Sequence, residues 1–375
     1  MKDNKIKILK SFQDTDFSSL KMRRGFEINS LNYLIGNGYI NLDTPVIESA
    51  DLFFRKSLGS TSGNTYTFTD PQNQQVSLRP DFTASIMRYA FSNSKKIESN
   101  MGKYCYSGPV FRFENNNEPN QLYQIGAEYI SEKKQGYESE VILDAIKCLQ
   151  INNINEFKIN LGNVGIVRKY LDKIGLNNSL VEFFLTNLKL FNLKNYEEEL
   201  LSKAKFQNLI KSGKKTEILS TDEIKEKFSI ELKSNLGLRS QDEVADRYFN
   251  KLSNQVVESE FNESIIKLKE LLNIKLENIN RNSFETELNF EDFKKLMDSL
   301  LESGIQKNNI CIDFSLTRNL AYYDGVVFDL IYKNELIGGG GKYDDLPKML
   351  GYKSDYSCFG FAINISKLTD VYKNE

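Results

Sequence analysis

Two residue types are missing altogether from the 375-residue chain: it has no histidine and no tryptophan. Without histidine there is no Ser-His or Cys-His nucleophile pair, no imidazole general base and no His-ligated metal. Acid–base work would fall to carboxylates, Lys, Arg, Tyr or backbone dipoles. Cysteine is scarce, and Cys105, Cys148, Cys311 and Cys358 stand far apart without a CxxC pair. That spacing offers neither a zinc site nor a disulfide framework, and it suits a reducing, cytoplasmic setting. No apolar run approaches the ~20 residues a membrane helix needs. The opening MKDNKIKILKSFQDTD lacks the apolar centre of a secretory signal. A formal net charge of -2 leaves no whole-chain basic excess for a phosphate backbone, so no nucleic-acid partner is expected.

What is present reads as an α+β fold. DFSS can cap a helix over 17–37, with Leu20, Ile28, Leu31 and Ile35 at helical spacing and Gly36 and Gly38 closing it. GYINLDTPVIES follows as a strand that Pro45 confines to an edge or an interface. YTFTD and QVSLRPD form a hairpin around PQNQ; Pro80 stops the second strand, and Asp81 with Thr83 can open the helix FTASIMRYAFS. A helix near 137–150, a strand FKINLGN and a helix through Tyr170 come next. From 178 to 304 Lys, Glu, Asn and Leu dominate and proline is absent, the texture of a helical insertion. Strands return at NICIDFSL, YYDGVVFDLIY and CFGFAINI. Segments 1–177 and 305–375 must then join in one mostly antiparallel sheet with helices packed on it.

The stretch from Tyr104 to Glu132 carries the sharpest pattern. Two aromatic-rich strands flank the polar loop ENNNEPNQ, and Arg112, Gln124 and Glu128 sit on positions that can point into one cleft. Standing alone, such a hairpin would turn that face to water. LRPDFT places Arg79, Asp81 and Thr83 at a strand-to-helix junction, which is either a ligand-facing corner or an ordinary capped turn. Arg318 precedes Tyr322 and Tyr323, where it can also stack on them at a surface. GGGGKYDD falls short of a phosphate loop, because GxxxxGK[ST] needs Gly where Leu336 stands and Ser or Thr where Tyr343 stands. Its glycines permit close approach to a ligand or a neighbouring strand, or simply a turn. No cluster has metal-ligand spacing, and no cofactor is implied.

In this order, GYINLDTPVIE, LRPDFT, the FRFE hairpin with Gln124 and Glu128, RNLAYYDG, GGGGKYDDL and FGFAINISKL resemble the core of histidyl-tRNA synthetases, a class II family. The resemblance spans roughly 12–175 and 305–370, with the helical insertion where that family has its own. It implies a class II aminoacyl-tRNA synthetase-like antiparallel sheet, a homodimer built on GYINLDTPVIE, and a histidine pocket. The pocket is carried over to Asp81, Thr83, Arg112, Gln124, Glu128, Arg318, Tyr322 and Tyr323. Asp81 and Glu128 could hold an ammonium or imidazole N–H, and Arg112 and Arg318 a carboxylate.

The nucleotide apparatus of the family is not matched. ENNNEPNQ holds none of the arginines that grip ATP, and Asn364, Ser366 and Lys367 stand where the third motif ends in Gly-x-Glu-Arg. GGRYD is GGKYD and RGLDYYTG is RNLAYYDG, and lysine keeps the charge without the bidentate fork. Eight residues follow Lys367, so no C-terminal anticodon-binding domain is expected. Together these departures resemble one offshoot, the regulatory subunit of ATP phosphoribosyltransferase. They imply a non-catalytic partner of the short-form transferase subunit in the first step of histidine biosynthesis, with histidine as feedback ligand. The alternative is a truncated synthetase-like enzyme that activates an amino acid with ATP.

Overall fold

A computed structural model describes residues 6–56, 65–92, 102–113, 119–131, 136–211, 255–274, 288, 290–318, 322–352 and 355–373. Helix α1 (Phe17–Gly36) opens where the sequence places it, with the Asp16 side chain accepting from the Ser19 N–H at 2.9 Å. Its buried face is not the expected one. Phe26, Ser30 and Leu34 face inward, whereas Ile28 and Ile35 are exposed. Both stripes have helical spacing, so periodicity alone does not choose between them. β1 (Ile40–Asn41) joins the sheet edge by pairing in parallel with β5, as Pro45 suggests for its segment. β2 (Ile47–Ser49), β3 (Thr67–Thr69) and β4 (Gln75–Leu78) form a small sheet in the order β2-β4-β3, with α2 (Ala50–Lys56) between the first two strands. Asp70 closes the β3–β4 turn by accepting from the Gln72 and Gln74 N–H groups. α3 (Thr83–Ser92) starts at the threonine of LRPDFT.

The large sheet has eight strands in the order β1-β5-β6-β11-β10-β9-β7-β8, antiparallel except at its two outer pairs. Its members are β5 (Lys103–Phe111), β6 (Gln121–Ser131), β7 (Lys158–Asn163), β8 (Ile310–Ile312), β9 (Val326–Tyr332), β10 (Glu335–Lys342) and β11 (Ser357–Asn364). α4 (Glu138–Gln150) buries Val141, Ile142, Ala145, Ile146 and Leu149. Asp144 on this helix ties α1 to it by accepting from the hydroxyls of Tyr33 at 2.8 Å and Tyr39 at 2.7 Å. The four glycines of the GGGG run lie inside β10 rather than in a turn, paired with β9 on one side and β11 on the other. The turn between β9 and β10 is instead Lys333–Asn334, both at positive φ (50° and 64°), the geometry of a tight two-residue hairpin.

A second compact unit, Ile166–Ile274, is helical and has its own core. α5 (Val164–Lys173) leads into it, followed by α6 (Asn178–Asn187), α7 (Tyr196–Phe206) and α8 (Glu258–Leu272). Phe184 stacks on Phe261 with ring centroids 5.4 Å apart, and Phe183, Phe191 and Leu268 are buried with them. The boundaries differ from 178–304 at both ends. The unit takes in most of α5 and stops before α9 (Glu291–Glu302), which belongs with the sheet. α9 has the same lysine- and glutamate-rich texture, but its Phe293 packs on Phe314 just after β8. Composition marks a helix without saying which core its apolar face enters. α10 (Leu346–Met349) and α11 (Ile365–Lys373) complete the chain's described helices, none of which is long and apolar enough to cross a membrane.

Candidate functional site

Alternation along β6 puts Gln124, Gly126 and Glu128 on one face of the sheet, β5 adds Tyr106 on that same face, and Arg112 follows directly after β5. Glu128 is the centre of the cluster, with 1% of its surface exposed. Three hydroxyls donate to its carboxylate: Thr83 at 2.7 Å, Tyr106 at 3.3 Å, and Tyr343 in a very short contact. Burial is the largest influence on this group and pushes its pKa up to about 7; the hydroxyl donors work against that rise and nearby Asp81 adds to it. No Lys or Arg pairs with it among the described residues. Gly360 faces Glu128 across the β6–β11 ladder, and a Cβ there would land on the carboxylate. The glycine makes the room that the acid occupies.

Asp81, Thr83, Tyr322 and Tyr323 meet here. Asp81 and Thr83 are 6% and 8% exposed at the start of α3. Tyr322 is buried rather than at a surface; its ring lies 5.0 Å from Tyr323 and 5.8 Å, edge-on, from Tyr343. Burial raises the pKa of Tyr323 to about 12, against the pull of Arg318, with Glu128 and Asp81 adding to the rise. Gln124 lies about 13 Å along β6 from Glu128, at ~3.3 Å per residue. It is 6% exposed, and its Oε1 has no hydrogen-bond partner. A buried acceptor left open in this way costs about 1–3 kcal/mol until a donor arrives.

The two arginines are anchored to the protein. Arg112 donates through Nε to the Pro80 carbonyl at 2.8 Å, beside Asp81. Arg318 gives Nη1 to the Asp329 carboxylate at 2.6 Å and to the Phe328 carbonyl at 2.9 Å. Gly339, at φ +148°, leaves the space for that guanidinium. Thus the carboxylate that Arg318 meets in this structure is the protein's own. Arg79 proves to be a structural cation. It is 1% exposed, stacks 3.9 Å above Phe82, and donates to the Pro109 carbonyl at 2.9 Å and the Thr44 carbonyl at 2.5 Å. Phe82 in turn stacks on Tyr106 at 4.2 Å.

Three residues of the site were not singled out from the sequence: Tyr106, Tyr343 and Gly360. Tyr106 shares strand parity with Arg112, which is a readable signal. Tyr343 arrives from 215 positions away and gives none.

The groups that the resemblance sets against the family's nucleotide motifs have partners among the described residues. Lys367 pairs with Glu335 at 2.9 Å, both half-exposed. The Asn364 side chain accepts from the Lys367 N–H at the start of α11, and Ser366 Oγ accepts from the Tyr123 N–H. Lys342 lies next to Tyr343 in the chain and points to the opposite face, toward Glu138 and Tyr137. Burial disfavours its charge, but Tyr137, Asp344 and Glu138 outweigh that and hold its pKa above the ordinary lysine value. Residues 114–118 of ENNNEPNQ and 319–321 of RNLAYYDG lie outside the described residues. Among the described residues no group of Cys, Asp and Glu is placed to hold a metal ion.

The chain and its sheet have known counterparts. The family model described as Histidyl-tRNA synthetase matches residues 12–223 and 216–368. The histidine–tRNA ligase of Sulfurisphaera tokodaii is 26% identical over 338 residues, covering 88% of this chain and 66% of that protein. That of Malacoplasma penetrans is 28% identical over 365 residues, covering 93% of this chain and 70% of its own length. The chain therefore spans about two thirds of the curated relatives it matches. Among solved structures, a histidine–tRNA ligase subunit from Alicyclobacillus acidocaldarius has a TM-score of 0.67 at 21% identity, covering 99% of this chain and 98% of that one. An ATP phosphoribosyltransferase regulatory subunit/histidyl-tRNA synthetase from Bacillus halodurans has a TM-score of 0.66 at 22% identity, covering 99% and 84%. The α+β sheet flanked by helices is thus the fold of these synthetase-like proteins, and the chain belongs to the histidyl-tRNA synthetase family.

Proposed function

We propose that this chain is a non-catalytic regulatory subunit of ATP phosphoribosyltransferase, and that its pocket takes free histidine as the feedback signal. One contrast carries the reading. The acidic and hydroxyl groups around Glu128 are buried and converge on one another, whereas Lys367 is half-exposed and spent on Glu335. A side chain kept for a triphosphate would offer a planar fork with its donors free for the ligand. The open acceptor on Gln124 Oε1 suits an amine or imidazole N–H. The Bacillus halodurans protein, an ATP phosphoribosyltransferase regulatory subunit/histidyl-tRNA synthetase that shares this fold, supports the same assignment.

The working form in this reading is a cytoplasmic homodimer within a hetero-oligomer with the short-form transferase subunit. Ile40, Val46 and Ile47, in the segment that the resemblance gives to the dimer interface, are exposed apolar residues in the single chain. Histidine must bind the inhibited arrangement more tightly than the active one, since equal affinity shifts nothing; a coupling of about 1–3 kcal/mol is ordinary for such systems.

The competing reading, an amino-acid-activating enzyme, draws on the curated relatives, which are named histidine–tRNA ligases. Histidine-dependent ATP–pyrophosphate exchange by the purified chain separates the two. No exchange, histidine binding by calorimetry, and histidine-sensitive activity of the reconstituted transferase are expected. Measurable exchange sinks the regulatory reading.

A further inference from the structure

Among the described residues Glu128 has no counter-cation. Its neighbours on every packed element are acids or neutral hydroxyls and thiols: Asp81 before α3, Tyr106 on β5, Tyr322 and Tyr323 before β9, Tyr343 after β10, and Cys358 on β11. Arg318, the cation that acts on Tyr323, is held by Asp329. The geometry also accommodates a protonated acid. The single hydroxyl proton of Tyr106 has two acceptors at the same 3.3 Å, Glu128 and the Phe361 carbonyl. Turned toward Phe361, Tyr106 presents a lone pair that can accept the proton of a neutral Glu128.

We propose that Glu128 stores a proton when the pocket is empty, and that binding of an imidazole ligand is proton-matched: ligand and Glu128 together keep one proton in the complex. This rests on the histidine reading of the pocket. With two protons the pair would carry an uncompensated imidazolium, and with none an uncompensated carboxylate; one proton leaves the pair neutral or ion-paired, the form that so buried a niche favours. The count then balances in each range. Above about pH 7 both partners arrive deprotonated and one proton is taken from water. Below about pH 6.5, the ordinary imidazole value, both arrive protonated and one is released. Between these limits the partners already carry one proton in total, and affinity is greatest there. It falls towards tenfold per pH unit on either side.

The proposal is tested on the full chain by calorimetry with L-histidine, in buffers of different ionisation enthalpy. The expected result is uptake of about 0.9 proton at pH 8 and release of about 0.9 at pH 5.5, with the sign reversing between. In Glu128→Gln the uptake at pH 8 disappears. No proton exchange at pH 8 in the wild type overturns the proposal. A second measurement needs no ligand: infrared difference titration of wild type against Glu128→Gln. A carboxyl band lost as pH rises through about 7 is expected, and a band lost near 4.5 overturns the stored proton. If that band titrates as expected and histidine binds at no pH, the stored proton stands and the histidine assignment fails.

Discussion

β6 and β11 run side by side for eight residue pairs, and the middle of that ladder differs from one end of it in a way that matters for function. In the middle Glu128 faces Gly360, buried and ringed by hydroxyls that come from α3, β5 and the residue after β10. At the end Gln124 faces Asn364, which caps the helix that follows, and Lys367 beyond it forms a half-exposed ion pair. The middle is built from distant parts of the chain that converge on one acid. The end is built from neighbours that satisfy one another. Convergence of that kind indicates a ligand, while local satisfaction indicates a helix start. Substitutions in the middle should therefore cost much more than those at the end.

The largest effect is expected for Gly360→Ala. The new methyl would land on Glu128 and lie 2.8 Å from the Ala127 carbonyl, and Thr83 and Tyr343 prevent the carboxylate from moving aside. A loss of about 4 kcal/mol or more in urea unfolding is expected. A near-neutral Gly360→Ala would show that the niche is loose and break the contrast.

Next comes the pH dependence of stability. Folding raises the Glu128 pKa from 4.5 to about 7, so the folded state holds the extra proton between those values. Stability should therefore fall as pH rises through that window, by about 3 kcal/mol from this group alone. Partly buried Asp324, also pushed up to about 7, adds a slope of the same sign. Comparing wild type with Glu128→Gln cancels the Asp324 part. Unfolding curves at pH 5 and pH 8 should show a smaller decline in the variant; equal declines would mean that Glu128 ionises without cost.

Thr83→Val is a smaller and more pointed probe. It removes the 2.7 Å donor that favours the charged form of Glu128, at nearly constant volume. A hydrogen bond to a charged group is worth about 1.5 kcal/mol, so the Glu128 midpoint should rise by roughly one pH unit in the infrared titration. A lower midpoint would mean that Thr83 supports the neutral acid instead.

The ease of reading these features from sequence follows their chain separation. The FRFE hairpin, the capped start of α1 and the Asp81–Thr83 corner depend on residues within a few positions of each other, and all three stand as expected. The helical spacing of Ile28 and Ile35 on α1 does not show that both are exposed, because two apolar stripes on one helix look alike until a sheet covers one of them. Tyr343 and Gly360 were invisible for a different reason. Strand parity says which side a residue faces, but not that β10 and β11 will be threaded beside β6. The helical texture of 178–304 runs past the compact unit 166–274 because α9 has the composition of the helical unit and the packing of the sheet unit.

The smallest effect is expected at Lys367, where it is also the most discriminating. The Lys367–Glu335 pair is solvent-accessible on both sides, with side-chain exposures of 28% and 52%, and such pairs contribute about 0–1 kcal/mol. Lys367→Ala should therefore change stability by less than about 0.5 kcal/mol and leave histidine affinity alone. Lys367→Arg asks the harder question. It restores a guanidinium at the position where the synthetase family grips the triphosphate, but Glu335 remains opposite to take the fork. ATP–pyrophosphate exchange should stay absent in this variant. If exchange appeared with that one change, the Gln124 end of the strands would be a nucleotide site short of a single group, and its contrast with the Glu128 niche would be one of degree.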